Sequence, residues 1–416
     1  MNALPVAAEK RASALHCGGA LEPAVFARIR RQVLLECCKW DAQIGDVCTL
    51  ADFPLWLSRS EWAELTRLAE ELTTELYAAE RELAGNAKAL GALGLPRVLH
   101  DLFREGAVTE WTPAAARTLR YDFHPTKSGW ALSEVNCDVP GGFAEASGFT
   151  RYVADAVGGD PTGFPIQEWA HAITRVTGAG GDVALLSAPG YMEDFQIVSY
   201  LAEHLRQNGC SAHLAKPEQL VWARKRAHLE TKWQRGPLDA VVRFYQGEWL
   251  SRLRDEGCWR PLFVGGDTPV ANPGSALLGE SKRFPLAWPS LRTPLRAWRN
   301  VLPETRDPRE APWKTDWSWI VKSAYCNTGD TVGCIDWTPA ARWEKLARAI
   351  RRRPEQWVAQ RRFDVSPVDT PHGAMFPCIG VYVIDGRVCG IYGRLSPTPV
   401  IDFTALDAAV LLTNDL

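Results

Sequence analysis

The chain is predicted to be an α/β protein with a helical N-terminal region and a parallel-sheet unit near its middle. Three observations predict it. Apolar residues recur at three-and-four spacing over residues 61–77. Apolar strand-like runs alternate with a helical pattern over residues 182–245. Two short alternating runs, 118–124 and 130–136, flank a polar turn and carry charged residues on one parity.

The first helix is read from Trp62, Leu65, Leu68, Ala69, Leu72, Leu76 and Tyr77, with Ser60 expected as its N-cap. Leu93-Gly-Leu-Pro96 ends this helical stretch. Next come Thr118-Leu-Arg-Tyr-Asp-Phe-His124 and Trp130-Ala-Leu-Ser-Glu-Val-Asn136, expected to pair as a hairpin. A βαβ pattern follows: a strand from Asp182, a helix over 193–207 stopped by Asn208-Gly209, and a strand at Ser211-Ala-His-Leu-Ala215. Leu238 to Tyr245 is a further strand, with Gln246-Gly-Glu248 at its C-terminal end, where ligands gather in open α/β sheets. A third unit places Lys322 on a strand, then a small-residue loop over 325–333, a helix over 340–351 and a strand starting at Gln356. Asp385-Gly386 between two alternating runs signals a hairpin.

Composition narrows the function. With 46% hydrophobic and 23% charged residues the chain reads as globular. At 416 residues it is long enough for two or three modest domains. Its net charge of −2 leaves no electrostatic footprint for nucleic acid or for an anionic membrane. No apolar run reaches the roughly 18–20 residues that span a bilayer. The N-terminus lacks the basic-then-apolar order of a signal peptide, so a cytoplasmic location is expected. The eleven cysteines are scattered without a Cys-x-x-Cys pair, which reads as reduced, mostly core thiols rather than a zinc site. Some of the eighteen tryptophans are expected in a cleft and most in the core.

The hairpin carries the chemistry. Side chains two apart on a strand share a face, so Asp122, Glu134 and Asn136 can converge, with Arg120 beside them. Two carboxylates and an amide oxygen suit magnesium, which takes oxygen ligands at about 2.0–2.1 Å and shares them with nucleotide phosphates. The arginine's planar fork suits a phosphoryl group. The same residues also fit a surface hairpin whose arginine pairs with its own acids, and the segment alone does not choose. Lys322 beside a Gly-containing loop suggests a phosphate cradle, although the loop is not a Walker A sequence. Arg394 is a second candidate clamp.

Jointly these segments resemble the synthetase domain of glutathionylspermidine synthetase and its relatives in the ATP-grasp superfamily. The family's Arg-x-Asp and Glu-x-Asn followed by Asp stand here as Arg120-Tyr-Asp122, Glu134-Val-Asn136 and Asp138. Arg243-Phe-Tyr-Gln-Gly-Glu-Trp249, Ile320-Val-Lys-Ser323 with Gly329, Trp357 to Gln360, and Arg394 match the later motifs. The acids precede the lysine, as in the permuted motif order of this family. The resemblance runs from about residue 118 to the C-terminus.

It implies an ATP-grasp fold built of residues 116–165 and 275–416, a βαβ pre-ATP-grasp-like subdomain over 166–274, and a helical region over 1–115. It implies an ATP- and magnesium-dependent carboxylate–amine ligase acting through an acyl phosphate. Asp122, Glu134 and Asn136 would hold magnesium. Lys322 and Gly329 would meet ATP phosphates, together with Lys282, for which Arg296 competes. Gln356, Val358 and Gln360 would meet adenine. Arg120 and Arg394 would stabilise the transferring phosphoryl group, and Glu248 would face a small-molecule carboxylate, such as a peptide, or its amine partner. Asn327 stands where relatives have an arginine, and Val139-Pro-Gly-Gly142 where they have Ser or Thr near the acyl substrate. Substrate identity therefore stays open. No Cys/His amidase domain is recognisable, so the bifunctional form is not expected. A degraded nucleotide-binding scaffold and a phosphotransferase remain alternatives. Replacing Asp122 or Arg394 by alanine is expected to abolish turnover with little change in thermal midpoint.

Overall fold

The apolar stripe read from residue 62 onward forms a helix because Leu65, Leu68, Leu72 and Leu76 all bury on one side. In the computed structural model, which describes residues 14–44, 47–104, 116–325 and 331–414, this helix is Arg59–Leu83 (α1). Its N-cap is Ser58, not Ser60. A short strand, Leu55–Ser58, runs straight into the helix, so Ser58 keeps an extended backbone (φ −66°, ψ 153°). Its hydroxyl accepts the Glu61 N–H at 3.1 Å, while Ser60 already lies in the first turn.

The hairpin forms as expected from Thr118–Thr126 (β1) and Gly129–Asn136 (β2), paired antiparallel. The βαβ unit consists of Asp182–Ser187 (β3), Met192–Gln207 (α2) and Ser211–Ala215 (β4). Ala240–Phe244 (β5) lies on the other side of β3, and all these strands run parallel. β5 is buried along its whole length, which explains its apolar run, broken only by Arg243, whose charge Asp138 pairs. The third unit has Trp319–Ser323 (β6) antiparallel to Trp357–Arg361 (β7). Gln356 is not in that strand. It closes a 3₁₀ turn, Pro354–Gln356, started by the fixed φ of Pro354, and its side chain is exposed.

Gly373–Ile384 (β8) and Arg387–Ser396 (β9) form the second hairpin. Asp385 (φ 48°) and Gly386 (φ 81°) supply the two positive φ values of a type I′ turn. With Leu406–Ala408 (β10), these strands build one antiparallel sheet in the order β10-β9-β8-β1-β2. One face of its central strands, carrying Leu119, Tyr121, Phe123 and Leu132, packs into the core shared with α1. The other face is polar and lines a cavity.

Among the described residues no helix is long and apolar enough to cross a membrane. The described cysteines are unpaired, and Cys37, Cys137, Cys210, Cys258, Cys334 and Cys378 are buried. Trp169, Trp259, Trp298 and Trp319 are core residues, whereas Trp337 lines the cavity.

Candidate active site

Directly opposed residues on antiparallel strands point to the same face, so the register of the sheet builds the site. Asp122 faces Glu134 and Arg120 faces Asn136 across β1 and β2. Gly380 and Tyr382 on β8 extend these two rows, and Cys378, Arg394 and Asp407 form the neighbouring row across β8, β9 and β10.

Strict alternation on β2 would put Leu132 on the same face as Glu134. A β-bulge prevents this. Asp122 pairs with Glu134, but Phe123 pairs with Leu132, so Ser133 is the extra residue. Leu132 then faces the core with Phe123, while Ser133, Glu134 and Asn136 all face the cavity. The bulge also releases the Ser133 carbonyl, which accepts the Lys322 ammonium at 3.2 Å from the facing sheet.

The cavity has a volume of about 320 Å³ and gathers Arg120, Asp122, Glu134, Asn136, Lys282, Lys322 and Arg394. Asp122 is its centre of charge. Arg120 donates Nε to Oδ1 (2.8 Å) and Nη2 to Oδ2 (3.1 Å). Arg394 Nη2 (2.7 Å) and Asn136 Nδ2 (3.1 Å) also donate to Oδ2. Burial raises the Asp122 pKa, but Arg120 and Arg394 outweigh it and hold the carboxyl down at about 2. Arg120 thus pairs with its own acid, but in a buried site and not on a surface hairpin. Glu134 is also pushed up by burial, and Lys282, 3.3 Å away, with Lys322 holds it below the usual carboxylate range. Arg394 Nε is buried with no hydrogen-bond partner among the described residues, a donor turned toward a site that suits an anion.

Gly380 makes room for this arrangement. A Cβ there would lie 2.9 Å from Arg120 Cδ and 2.9 Å from a Tyr392 ring carbon. Gly142 (φ 87°) lets the chain turn beneath the same tyrosines. The neighbouring Gly141 carbonyl accepts Arg120 Nη1 at 2.9 Å.

His124 also lines the cavity. Burial lowers its pKa to about 4, so it is neutral near pH 7. Its Nδ1 lies 3.1 Å from the Pro377 carbonyl and its Nε2 3.1 Å from Ser133 Oγ.

The oxygen donors suit a hard cation in type: two carboxylates and one amide. Their number is incomplete, since no group of three or more His, Cys, Asp or Glu side chains among the described residues is set to hold an ion. An ion here would take its remaining ligands from phosphate and water.

Not every expected residue reaches the cavity. Lys282 lines it, whereas Arg296 is exposed, with its backbone N–H capped by Glu75 (2.8 Å). Gln356 and Val358 do not line it. Val358 is fully buried opposite Lys322. Gln360 faces the same side as its cross-strand partner Ile320, which does line the cavity. Its Nε2 donates to Thr305 Oγ1 at 3.1 Å, and its Oε1 is buried without a partner among the described residues. Glu248 lies behind the lining, and burial together with Asp138 pushes it up to about 7. Asp138 is a tie: it ion-pairs with buried Arg243 and accepts the Gly247 N–H at 2.8 Å. Gly329 and Asn327 fall outside the described residues.

Sequence reasoning missed a further part of the cavity lining. Asp194, in the first turn of α2, and Gln246, just past β5, both line it. Asp194 Oδ2 and Gln246 Oε1 are buried acceptors without a donor among the described residues. Burial and Glu193 push Asp194 well above the usual carboxylate range. The position of Gln246 at the C-terminal end of a parallel strand was the available signal, but Glu248 two residues on carries the charge and drew the assignment. Ile320, Val332, Trp337, Phe363, Val365 and Ile401 form an apolar wall of the cavity.

Comparisons with known proteins agree with this architecture. The family model of the glutathionylspermidine synthase pre-ATP-grasp family matches residues 47–407. No curated protein matches. Among solved structures, a glutathione synthetase-like effector from Globodera pallida, in its apo form, aligns with a TM-score of 0.60 at 14% identity. That alignment covers 94% of this chain and 98% of the effector. A putative γ-glutamylcysteine synthetase from Methylobacillus flagellatus aligns at 0.39 and 14% identity, over 81% of this chain and 86% of its own. The first likeness shows the fold, and the second is too low in score to add to it. With its family model matched over most of its length and an ATP-grasp-type α/β fold around the cavity, the chain belongs to the glutathionylspermidine synthase pre-ATP-grasp family.

Proposed function

We propose that this member of an ATP-grasp-type ligase family joins a carboxylate to an amine at the expense of ATP and magnesium. The observation that carries the reading is the cavity's polarity. Its lining combines four cationic side chains and three hard oxygen donors around Asp122, two residues with orphaned buried acceptors at Asp194 and Gln246, and an apolar wall.

At the basic end Asp122, Glu134 and the Asn136 amide oxygen would hold magnesium, which when bound supplies Lewis-acid neutralisation of phosphate charge. Lys282 and Lys322 hold phosphate oxygens once these replace their contacts to Glu134 and Ser133. The apolar wall beside Ile320 takes the adenine ring, with the Gln360 amide behind it. Arg120 and Arg394 are catalytic residues in this reading. They sit on either side of Asp122 and stabilise the phosphoryl group as it passes to the acid substrate, then the oxyanion that forms when the amine attacks. The leaving group of that second step is phosphate, so no side-chain nucleophile is required. At the acidic end Asp194 and Gln246 accept N–H groups of the incoming amine; an ammonium there offsets the buried carboxylate and gives up one proton before the neutral amine attacks.

The test is to incubate the full chain with ATP, magnesium and a panel of carboxylates and amines. ADP, phosphate and a new amide are then followed by mass spectrometry. Substrate-dependent ADP with a new amide is expected. Absence of substrate-dependent ADP across the panel overturns the reading. ADP released with acid alone, leaving a stable phosphorylated acid, indicates a phosphotransferase.

A further inference from the structure

The acidic end of the cavity contains a cation that the proposed reaction does not use. Lys39 follows the helix Pro23–Glu36 by three residues, after a turn in which Cys38 has a positive φ of 55°. Its side chain is 7% exposed and lines the cavity. The ammonium ion-pairs with Glu145, with Asp41 Oδ1 at 2.8 Å and with Asp407 Oδ2 at 3.5 Å. Asp407 stands opposite Arg394 on the adjoining strand, so this cluster is continuous with the phosphate end.

Three carboxylates converge on one ammonium, and the chain itself provides that ammonium. Burial and Glu145 push Asp407 up to about 7 despite Lys39, so the acids have little capacity to hold negative charge without a cation. Without Lys39 the cluster would be a hole for a substrate ammonium. With Lys39 in place, a second ammonium entering the same hole meets a like charge in a low-dielectric setting. Asp194 and Gln246, which carry the orphaned acceptors, line the same cavity. The cavity therefore has two cation positions, one already filled.

We propose that Lys39 is a specificity-determining residue: it occupies one of two ammonium positions, so the acceptor is an amine with a single ammonium, and diamines and polyamines are excluded. Discrimination of this kind comes from the repulsive element as much as from the attractive one. The inference rests on the amine end of the proposed ligase reaction.

The experiment compares the wild-type chain with Lys39→Ala. Binding of n-butylamine, 1,4-diaminobutane and spermidine is followed by calorimetry without ATP. The wild type is expected to bind the diamine no more tightly than the monoamine. Lys39→Ala is expected to bind 1,4-diaminobutane at least about tenfold more tightly than n-butylamine, a difference of about 1.4 kcal/mol. A lysine that only staples the fold would change all three affinities alike and leave their ratio fixed. Lys39→Met keeps the stem and removes only the charge. If the alanine variant does not fold, the diamine-to-monoamine ratio of Lys39→Met carries the test, with a rise of about threefold or more expected. A wild type that prefers the diamine or spermidine, or a variant with an unchanged ratio, overturns the proposal. ADP release with the same amines, run in parallel, separates the two readings. Failure of every amine to drive ADP sinks the ligase reading, whereas a wild type turning over spermidine fastest sinks only the role of Lys39.

Discussion

Arg394 and Asp122 meet across the sheet at 2.7 Å, and Asp122 is simultaneously gripped by Arg120, so one carboxylate balances a buried guanidinium and a half-buried one. This relationship changes what substitution there should do. Removing Asp122 leaves the buried Arg120 guanidinium without its partner, which typically costs about 3–5 kcal/mol. Asp122→Ala is therefore expected to lower the thermal midpoint markedly, contrary to the expectation from sequence alone. Asp122→Asn keeps an acceptor oxygen and should lose about 10²–10³ in ADP formation with a smaller drop in midpoint. Calorimetric melts and ADP release on both variants check this. Equal stability of Asp122→Ala and wild type would contradict the buried pairing.

Gly380 lies beside the Arg120 stem. Gly380→Ala places a methyl 2.9 Å from Arg120 Cδ and from the Tyr392 ring. Arg120 must then shift away from Asp122, while the strand itself tolerates alanine. The expected result is a loss of about tenfold or more in turnover, with about 1–3 kcal/mol of destabilisation from overpacking. Turnover equal to wild type would show that Arg120 needs no fixed position.

Glu280 accepts the N–H groups of Cys137 (2.6 Å) and Asp138 (3.0 Å), and so anchors the end of β2 just past Asn136. Burial pushes its pKa up to about 8, with Asp138 adding to the shift and Lys282 opposing it. An acid whose folded pKa lies above its unfolded value of about 4.3 is destabilised once it ionises. Its favourable contribution is complete below about pH 4.3 and is lost as pH rises through about 8. Glu280→Gln removes this loss while keeping an acceptor. The midpoint of the variant relative to wild type should rise steadily between pH 5 and pH 8 in paired melts. A difference that stays flat over that window would count against the shift.

Ser58 caps α1 through its hydroxyl, and Ser60 does not. Ser58→Ala should cost about 1 kcal/mol and Ser60→Ala less. Urea unfolding of the two variants distinguishes them, and the reverse ranking would restore Ser60 as the cap.

Sequence alone determines the parts of this protein that depend on local pattern. The helical period of α1, the apolar β3 and β5, the Asp385-Gly386 turn and the pairing of β1 with β2 are all legible. Each follows from side-chain spacing or from a φ that few residues adopt. Arg120, Asp122, Glu134, Asn136, Lys322 and Arg394 are likewise nameable, because their motif order resembles a known family. Only the tertiary structure decides how they act. Residue parity cannot show the bulge at Ser133 that turns Leu132 inward and keeps Glu134 in the cavity, because a bulge is a property of two paired strands. Nor can it show that Lys282 lies against Glu134 while Arg296 is outside, or that Gln246 lines the cavity where Glu248 does not. Lys39, Glu145 and Asp407 are more than a hundred residues apart in the chain and share no motif. They meet because the sheet, the segment after Pro23–Glu36 and the helical segment that contains Glu145 close on one cavity. There burial makes each charge depend on the others.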